Sequence, residues 1–177
     1  AWSEEWTLAS GETVRVRPIR PADAALEQAF VKDLSPESRY SRFMGDVGEL
    51  SPEMLERFTR IDYPHDLALI VTHVEAGRER EIAVARYITL PDTRTCEYAI
   101  VVADAWQHHG IGHRLMEVLI RFAREGGLAR MEGYVLATNR AMLELMRNLG
   151  FETGPSREGP QVRTVSLELG SPRANLV

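Results

Sequence analysis

The sequence predicts an α/β fold, because strand-like and helix-like stretches alternate along most of its 177 residues. Apolar residues that alternate with polar ones predict strands, and apolar residues three and four positions apart predict helices. Ser35-Pro36 and Ser51-Pro52 each place a capping serine before a proline, which is typical of a helix start. The predicted order is strand, helices, three strands, helix, strand, helix and one or more final strands.

Each element rests on its own pattern. Val14 and Val16 alternate with polar residues in the first strand, whereas Leu115, Leu119 and Phe122 keep mostly to one face of a helix. The predicted strands span residues 13–19, 67–73, 82–88, 95–102, 131–136 and 162–169. The predicted helices begin near Pro21, Ser35 and Ser51 and continue with residues 113–124 and 139–150.

Length and composition favour one cytoplasmic domain over residues 12–170, with flexible ends at 1–11 and 171–177. A net charge of −5 argues against nucleic acid as a partner, because nucleic-acid binding needs a basic face. No apolar run approaches the roughly 20 residues of a membrane span, and no signal-peptide core is visible. The single cysteine, Cys96, excludes an internal disulfide, fits a reducing compartment and is expected to pack in the core.

A glycine-containing turn at residues 100–113 is the most informative segment. An apolar strand ends there, and Gly110 and Gly112 open an amphipathic helix. Unpaired N–H groups and the helix dipole favour an anion at such a start, and glycine lets a ligand approach closely. The turn therefore predicts a phosphate site, although an ordinary strand-to-helix turn also fits the pattern. A dinucleotide motif would need a third glycine where Leu115 stands, and the Lys-Ser/Thr pair of a P-loop is missing.

The motif Gln107-x-x-Gly110-x-Gly112 resembles the coenzyme A pyrophosphate motif of the GNAT N-acetyltransferase superfamily. Residues 139–151, a helix that ends in Leu-Gly-Phe, resemble the second signature of that family. The resemblance implies the GNAT fold, in which a mixed, mostly antiparallel central sheet carries helices on both faces. It also implies acetyl-CoA as cosubstrate and a fourth strand that separates from its neighbour, exposing backbone N–H groups near Val101 and Val102.

The expected cofactor-binding residues follow from this resemblance. They are Ile100, Val101, Val102, Gln107, His108, His109, Gly110, Ile111, Gly112, His113 and Asn139. For Asn139, a role as a plain helix cap fits the sequence equally well, because asparagine is a favoured N-cap. No metal is expected, since Gly110 stands where an HExxH motif would have glutamate between His109 and His113.

Glu97 is the predicted general base. A lysine of pKa ~10.4 is protonated at pH 7, and its deprotonation costs about 4.6 kcal/mol, so the site needs a proton acceptor. Glu97 lies in an otherwise apolar strand, where burial would raise its pKa, although a solvated strand-end position is the alternative. The protein acetyltransferases that the chain resembles use a glutamate near this point. Many GNAT members carry a general-acid tyrosine where Met146 stands, so no general acid is assigned.

Residues 34–43 and 61–63 resemble the acetyltransferase domain of bacterial protein lysine acetyltransferases, which act on proteins such as AMP-forming acyl-CoA synthetases. Arg39, Arg42 and Tyr63 are expected near the acceptor, with a solvated basic face and a core-edge tyrosine as the alternatives. The sequence thus predicts an acyl-CoA-dependent N-acetyltransferase acting on a protein lysine. Acetylation of a small-molecule amine (a polyamine, an amino acid or an antibiotic) and a non-catalytic acetyl-CoA sensor stay open, as do a homodimer and the preferred acyl chain.

Overall fold

A mixed sheet of eight strands runs through the computed structural model, which describes residues 2–45 and 47–170. The strands are β1 (Glu4–Thr7), β2 (Thr13–Pro18), β3 (Leu67–Glu75), β4 (Arg78–Thr89), β5 (Thr95–Val102), β6 (Arg130–Leu136), β7 (Glu152–Pro155) and β8 (Val162–Glu168). The helices are α1 (Ala24–Asp33), α2 (Pro36–Phe43), α3 (Pro52–Thr59), α4 (Ile111–Glu125) and α5 (Arg140–Asn148), with short 3-10 turns at Pro21–Asp23 and Asp104–Trp106.

The strands lie in the order β1-β2-β3-β4-β5-β6-β8-β7. Only β5 and β6 pair in parallel among the described strands, and every other neighbouring pair is antiparallel. This arrangement confirms the predicted mixed, mostly antiparallel sheet. The one parallel pair needs a crossover, which α4 provides.

Helices cover both faces of the sheet. Leu115 and Leu119 of α4 are fully buried in one apolar cluster, whereas Phe30 of α1 joins Ile70 and Val84 in a second cluster on the other face. Alternate residues of a strand point to opposite faces, so each central strand contributes to both clusters. Among residues 2–45 and 47–170, no helix has the length and apolarity required to cross a membrane.

Two predicted helix starts have the expected caps. The Ser35 hydroxyl accepts from the Ser38 N–H at 3.1 Å, and the Ser51 hydroxyl accepts from the Met54 N–H at 3.2 Å. Proline occupies the first helical position in both, where no N–H is needed. The residues at each of these two starts thus supply the cap that the sequence predicts.

The N-terminal segment differs from the flexible end that the sequence predicts. Glu4–Thr7 pairs with β2 as strand β1, and Trp6, opposite Val14, is only 2% exposed. The Arg114 guanidinium lies 4.6 Å from a ring centroid of Trp6, which adds a cation–π contact. Burial of this one large aromatic side chain gives a reason for the order of the segment. Residues 171–177, the other predicted flexible end, lie outside the described residues.

Candidate functional site

The site begins where two parallel strands separate. β5 and β6 pair through three residue pairs, of which Glu97 and Glu132 are the last. The Tyr98 ring then packs over Gly133, where an added Cβ would clash with the ring carbons. A glycine at this position is therefore required by the packing of Tyr98, just beyond the last strand pair.

A cavity of about 510 Å³ opens between the separated strands and is bounded by α2, α4 and α5. Most of the predicted site residues line it, namely Glu97, Ile100, Val101, Val102, Gln107, His108, Gly110, Ile111, Gly112, His113, Asn139 and Arg42. Within the described part of the chain, Arg39, Tyr63 and His109 do not belong to this lining.

The start of α4 is open to the cavity. Gly110 precedes the helix with φ +80°, a conformation that glycine adopts without the Cβ penalty, and His108 has φ +66°. No side chain of the described residues caps this start, whereas Ser35, Ser51 and Asn139 cap α2, α3 and α5. The unpaired N–H groups expected in the first turn of α4 are thus available to an anion.

Packing does not require glycine at position 112. A Cβ added to Gly112 would lie 3.5 Å from Leu145 and 3.8 Å from Val102, which is ordinary van der Waals contact. Both of these neighbours also line the cavity. A Cβ would thus fit at position 112 without a clash, and the residue itself borders the cavity.

Hydrogen bonds connect the loop before α4 to helix α2. Gln107 Nε2 donates to the Val102 carbonyl at 3.1 Å and lies 3.4 Å from the Ser38 hydroxyl. Asp104 accepts from the Ser35 N–H at 3.0 Å and from the hydroxyls of Ser35 and Ser38 at 2.8 and 2.9 Å. Partial burial opposes ionisation of Asp104, but these hydrogen bonds lower its pKa. The predicted cofactor residue Gln107 therefore uses its side chain to brace the site.

Glu97 is half-buried in the cavity wall at the point where the strands separate. Burial raises the pKa of its carboxyl, and the negative charge of Glu132 raises it further. The positive charge of Arg42 acts in the opposite direction. A carboxylate with a raised pKa that borders a cavity has the properties of a general base.

The three predicted acceptor residues have different environments. Arg42 lines the cavity, and its guanidinium lies 4.8 Å from the Phe43 ring centroid. Burial, together with the nearby charge of Arg86, lowers the pKa of Arg42 to about 10, so it stays cationic at neutral pH. Arg39 instead donates to the carbonyls of Leu34 and Lys32, at 2.6 and 3.3 Å. It therefore holds the end of α1.

Tyr63 contacts the backbone at the end of one strand and the start of another. Its hydroxyl is 2.9 Å from the Ile19 carbonyl and 3.0 Å from the Ala68 carbonyl, and burial raises its pKa to about 12. These contacts join the end of β2 to the start of β3, which agrees with the core-edge alternative.

The position of Asn139 at the start of α5 is compatible with both roles that the sequence left as alternatives. Asn139 Oδ1 accepts from the Met142 N–H at 3.3 Å and thereby caps the helix. The same residue lines the cavity, so capping does not withdraw it from a ligand. Further along α5, Met146 is fully buried in the core, which leaves no cavity-facing group at the position of the usual tyrosine.

Sequence reasoning did not identify Tyr134 as a site residue. Tyr134 lines the cavity with 42% of its surface exposed, and its pKa is raised by desolvation and by the charges of Glu97 and Glu132. It stands two positions after Glu132 and therefore on the same face of β6. The alternation of Glu132 and Tyr134 with buried Met131 and Val135 was the available signal.

Metal and thiol chemistry find no support in the described residues. No three His, Cys, Asp or Glu side chains within residues 2–45 and 47–170 come together as a metal site. His113 Nδ1 instead lies 2.9 Å from the Glu117 carboxylate, one helical turn away. Cys96 is fully buried in the α4-side cluster, and burial raises its pKa to about 12, so the thiol is protonated at neutral pH.

Residues 29–151 match the Acetyltransferase (GNAT) family. The chain is 37% identical over 150 residues to Acetyltransferase PA5475 of Pseudomonas aeruginosa, a match that covers 85% of this chain and 80% of that protein. It is 32% identical over 142 residues to Acetyltransferase Pat of Mycolicibacterium smegmatis, covering 80% of this chain but 42% of that longer protein.

The fold agrees with a solved structure of similar size. The GNAT domain of S. lividans PAT superposes with a TM-score of 0.85 and 30% identity, over 94% of this chain and 97% of that domain. The likeness therefore extends over nearly the whole fold and includes the regions that form the cavity.

Proposed function

The chain belongs to the GNAT family of acetyltransferases, and on this basis we propose that it acetylates protein lysines with Glu97 as general base. Members of this family use acetyl-CoA as the acyl donor. The observation that carries the proposal is that Glu97 and the uncapped start of α4 border the same cavity of about 510 Å³. One end of this cavity suits an anionic cofactor and the other suits proton abstraction.

The pyrophosphate of acetyl-CoA is placed at the start of α4. Backbone N–H groups of residues 108–113 would donate to it, with Gly110 and Gly112 allowing close approach. The pantetheine arm would follow the edge of β5 at Ile100, Val101 and Val102, which β6 leaves unpaired. This placement brings the thioester towards Glu97, because β5 runs directly from the α4 end of the cavity to that residue.

Acetyl transfer then proceeds by direct attack. Glu97 takes a proton from the lysine ammonium, directly or through water, and the neutral nitrogen attacks the thioester carbonyl. Backbone N–H groups on the free edge of β5 are suited to stabilise the oxyanion. Collapse breaks the carbon–sulfur bond and forms the amide, and the second proton of the lysine nitrogen passes to solvent or to the departing thiolate. The departing thiolate, with a pKa near ~8.5 for an ordinary thiol, is a tolerable leaving group without a dedicated acid.

A protein acceptor is supported by the side of the cavity near Glu97. Ile88, opposite Glu97 on β4, is 48% exposed. Exposed apolar side chains near a catalytic cavity suit contact with a protein surface. The resemblance of residues 34–43 and 61–63 to bacterial protein lysine acetyltransferases supports the same acceptor class. An AMP-forming acyl-CoA synthetase is the predicted protein substrate.

The acceptor class is tested by incubating the purified protein with radiolabelled acetyl-CoA and a cell extract, then separating the label by size. We expect label on protein, and mass spectrometry would identify the modified lysine. Label only in small molecules would replace the protein acceptor by a small-molecule amine. Absence of transfer with bound cofactor would favour the acetyl-CoA sensor.

A further inference from the structure

Glu132 stands beside Glu97 on the neighbouring strand. The two residues are paired in register on parallel strands, so their side chains project from the same face of the sheet. Glu97 lines the cavity, whereas Glu132 is not among its lining residues. The side chain of Glu132 is 22% exposed. Two carboxylates thus stand side by side where the strands separate.

The side chains around this pair come from β6, α2 and β4, and only β6 and α2 contribute a charge. On β6, Arg130 Nε lies 3.4 Å from Glu132 Oε2, and Tyr134 follows on the same face. Helix α2 contributes Arg42, which faces Glu97 across the cavity. The residue opposite Glu97 on β4 is the apolar Ile88.

Arg130 is shared between two carboxylates. Its Nη1 lies 3.1 Å from Glu168 of β8, so it does not serve Glu132 alone. The residue of β8 that pairs with Glu132 is the uncharged Ser166. The Glu132 carboxylate stands next to Glu97, and the partly exposed Arg130 compensates its charge only in part.

We infer that Glu132 is a positioning residue for the general base: it holds a negative charge beside Glu97 and so makes Glu97 a stronger proton acceptor. This inference rests on the proposed role of Glu97. The physical reason is that two neighbouring carboxylates disfavour each other's ionised form. The raised pKa of Glu97, to which Glu132 contributes after burial, is consistent with it.

The test is the Glu132→Gln variant, which keeps the side-chain shape and removes the charge. Because the ionised form of Glu97 becomes less unfavourable, its pKa falls. The acid limb of the kcat/KM–pH profile should then move to lower pH by roughly half a pH unit or more. Glu125→Gln, which removes an exposed carboxylate at the end of α4 that does not line the cavity, is the control and should leave the acid limb in place.

A second readout separates the failure of this inference from the failure of the proposed function. NMR titration of the 13C-labelled Glu97 carboxyl, in the protein without cofactor, measures its pKa without turnover. A pKa that stays the same in Glu132→Gln overturns the inference, even if Glu97→Gln abolishes activity. If Glu97→Gln keeps full activity, the proposed base is wrong, and any coupling seen by NMR has no catalytic role.

Discussion

Two groups of titratable side chains lie on the same face of the sheet, and only one of them borders a cavity. The cavity group consists of Glu97, Arg42 and Tyr134, all of which line the site. The sealed group consists of Glu27, Glu81 and Arg86, each buried beneath α1 and α3. Both groups contain a strand glutamate whose pKa is raised by burial first and by a neighbouring carboxylate second.

The sealed group is organised around one guanidinium. Arg86 donates to Glu27 at 2.9 Å and to the Phe58 carbonyl at 3.0 Å. Glu81 is 6% exposed, and neither of its oxygens has a hydrogen-bond partner among the described residues. A raised pKa therefore does not by itself indicate catalysis, because what distinguishes Glu97 is access to a ligand. Changes in the sealed group should affect stability, whereas changes at the cavity should affect binding and turnover.

The largest expected effect is that of Arg86→Met on stability. Removing the cation leaves the Glu27 carboxylate buried without its partner, so the free energy of unfolding should fall by about 3–5 kcal/mol. Denaturant unfolding measures this loss, and calorimetry at low temperature should show unchanged affinity for coenzyme A. If the variant were as stable as wild type but had lost affinity for coenzyme A, the sealed group would act in binding and not in stability.

Gly112→Asp should reduce the affinity for coenzyme A and leave the stability of the fold unchanged. A carboxylate at the start of α4 would repel the pyrophosphate, and affinity for coenzyme A should fall at least ~100-fold, or about 2.7 kcal/mol. Stability should be kept, because the added Cβ has room and an acidic residue suits a helix start. Gly112→Ala is the control for size without charge. If the aspartate variant binds coenzyme A with wild-type affinity, the pyrophosphate does not bind at the start of α4.

Glu81→Gln should change how stability depends on pH. The pKa of Glu81 is raised in the folded protein, so the unfolded chain ionises first, and the wild type loses stability as pH rises above about 4.3. The Gln variant lacks this loss. Its free energy of unfolding relative to wild type should therefore increase between pH 4 and 7, by at most about 1.4 kcal/mol per pH unit. Equal pH profiles would mean that Glu81 is ionised in the fold.

Asn139→Ala should give the smallest effect. Loss of the bond to the Met142 N–H should cost about 1 kcal/mol of stability, as for other helix caps. If affinity for coenzyme A also falls, Asn139 contacts the cofactor in addition to capping α5. Ser51→Ala, which removes a cap outside the cavity lining, is the control for capping alone.

Local patterns were sufficient for most of the fold. The capping serines and the alternation of apolar residues predicted α2, α3 and the central strands, since these features depend on neighbours in sequence. Strand β1 was not predicted, because its four residues are stabilised by pairing with β2 and by the packing of Trp6. Such contacts join distant parts of the chain and leave no periodic signal in so short a segment.

Some residues of the candidate site could be predicted because their residue type is unusual for their position in a strand or helix. Gly110 and Gly112 mark a helix start, and Glu97 interrupts an apolar strand, so their types were informative. Glu81 also adjoins an apolar strand, and only the position of α1 shows that it is sealed. The roles of Arg39 and Tyr134 depend on helix packing and strand register, which the sequence does not specify.

Proton abstraction by Glu97 at an acetyl-CoA site is the step that most needs a direct test. It is tested by acetyl transfer from radiolabelled acetyl-CoA to the proteins of a cell extract, with wild type and Glu97→Gln at equal cofactor occupancy. We expect transfer by Glu97→Gln to fall by on the order of 100-fold or more, with unchanged affinity for coenzyme A and unchanged thermal stability. Transfer within about threefold of wild type would mean that Glu97 is not the general base, since loss of a general base has a larger effect.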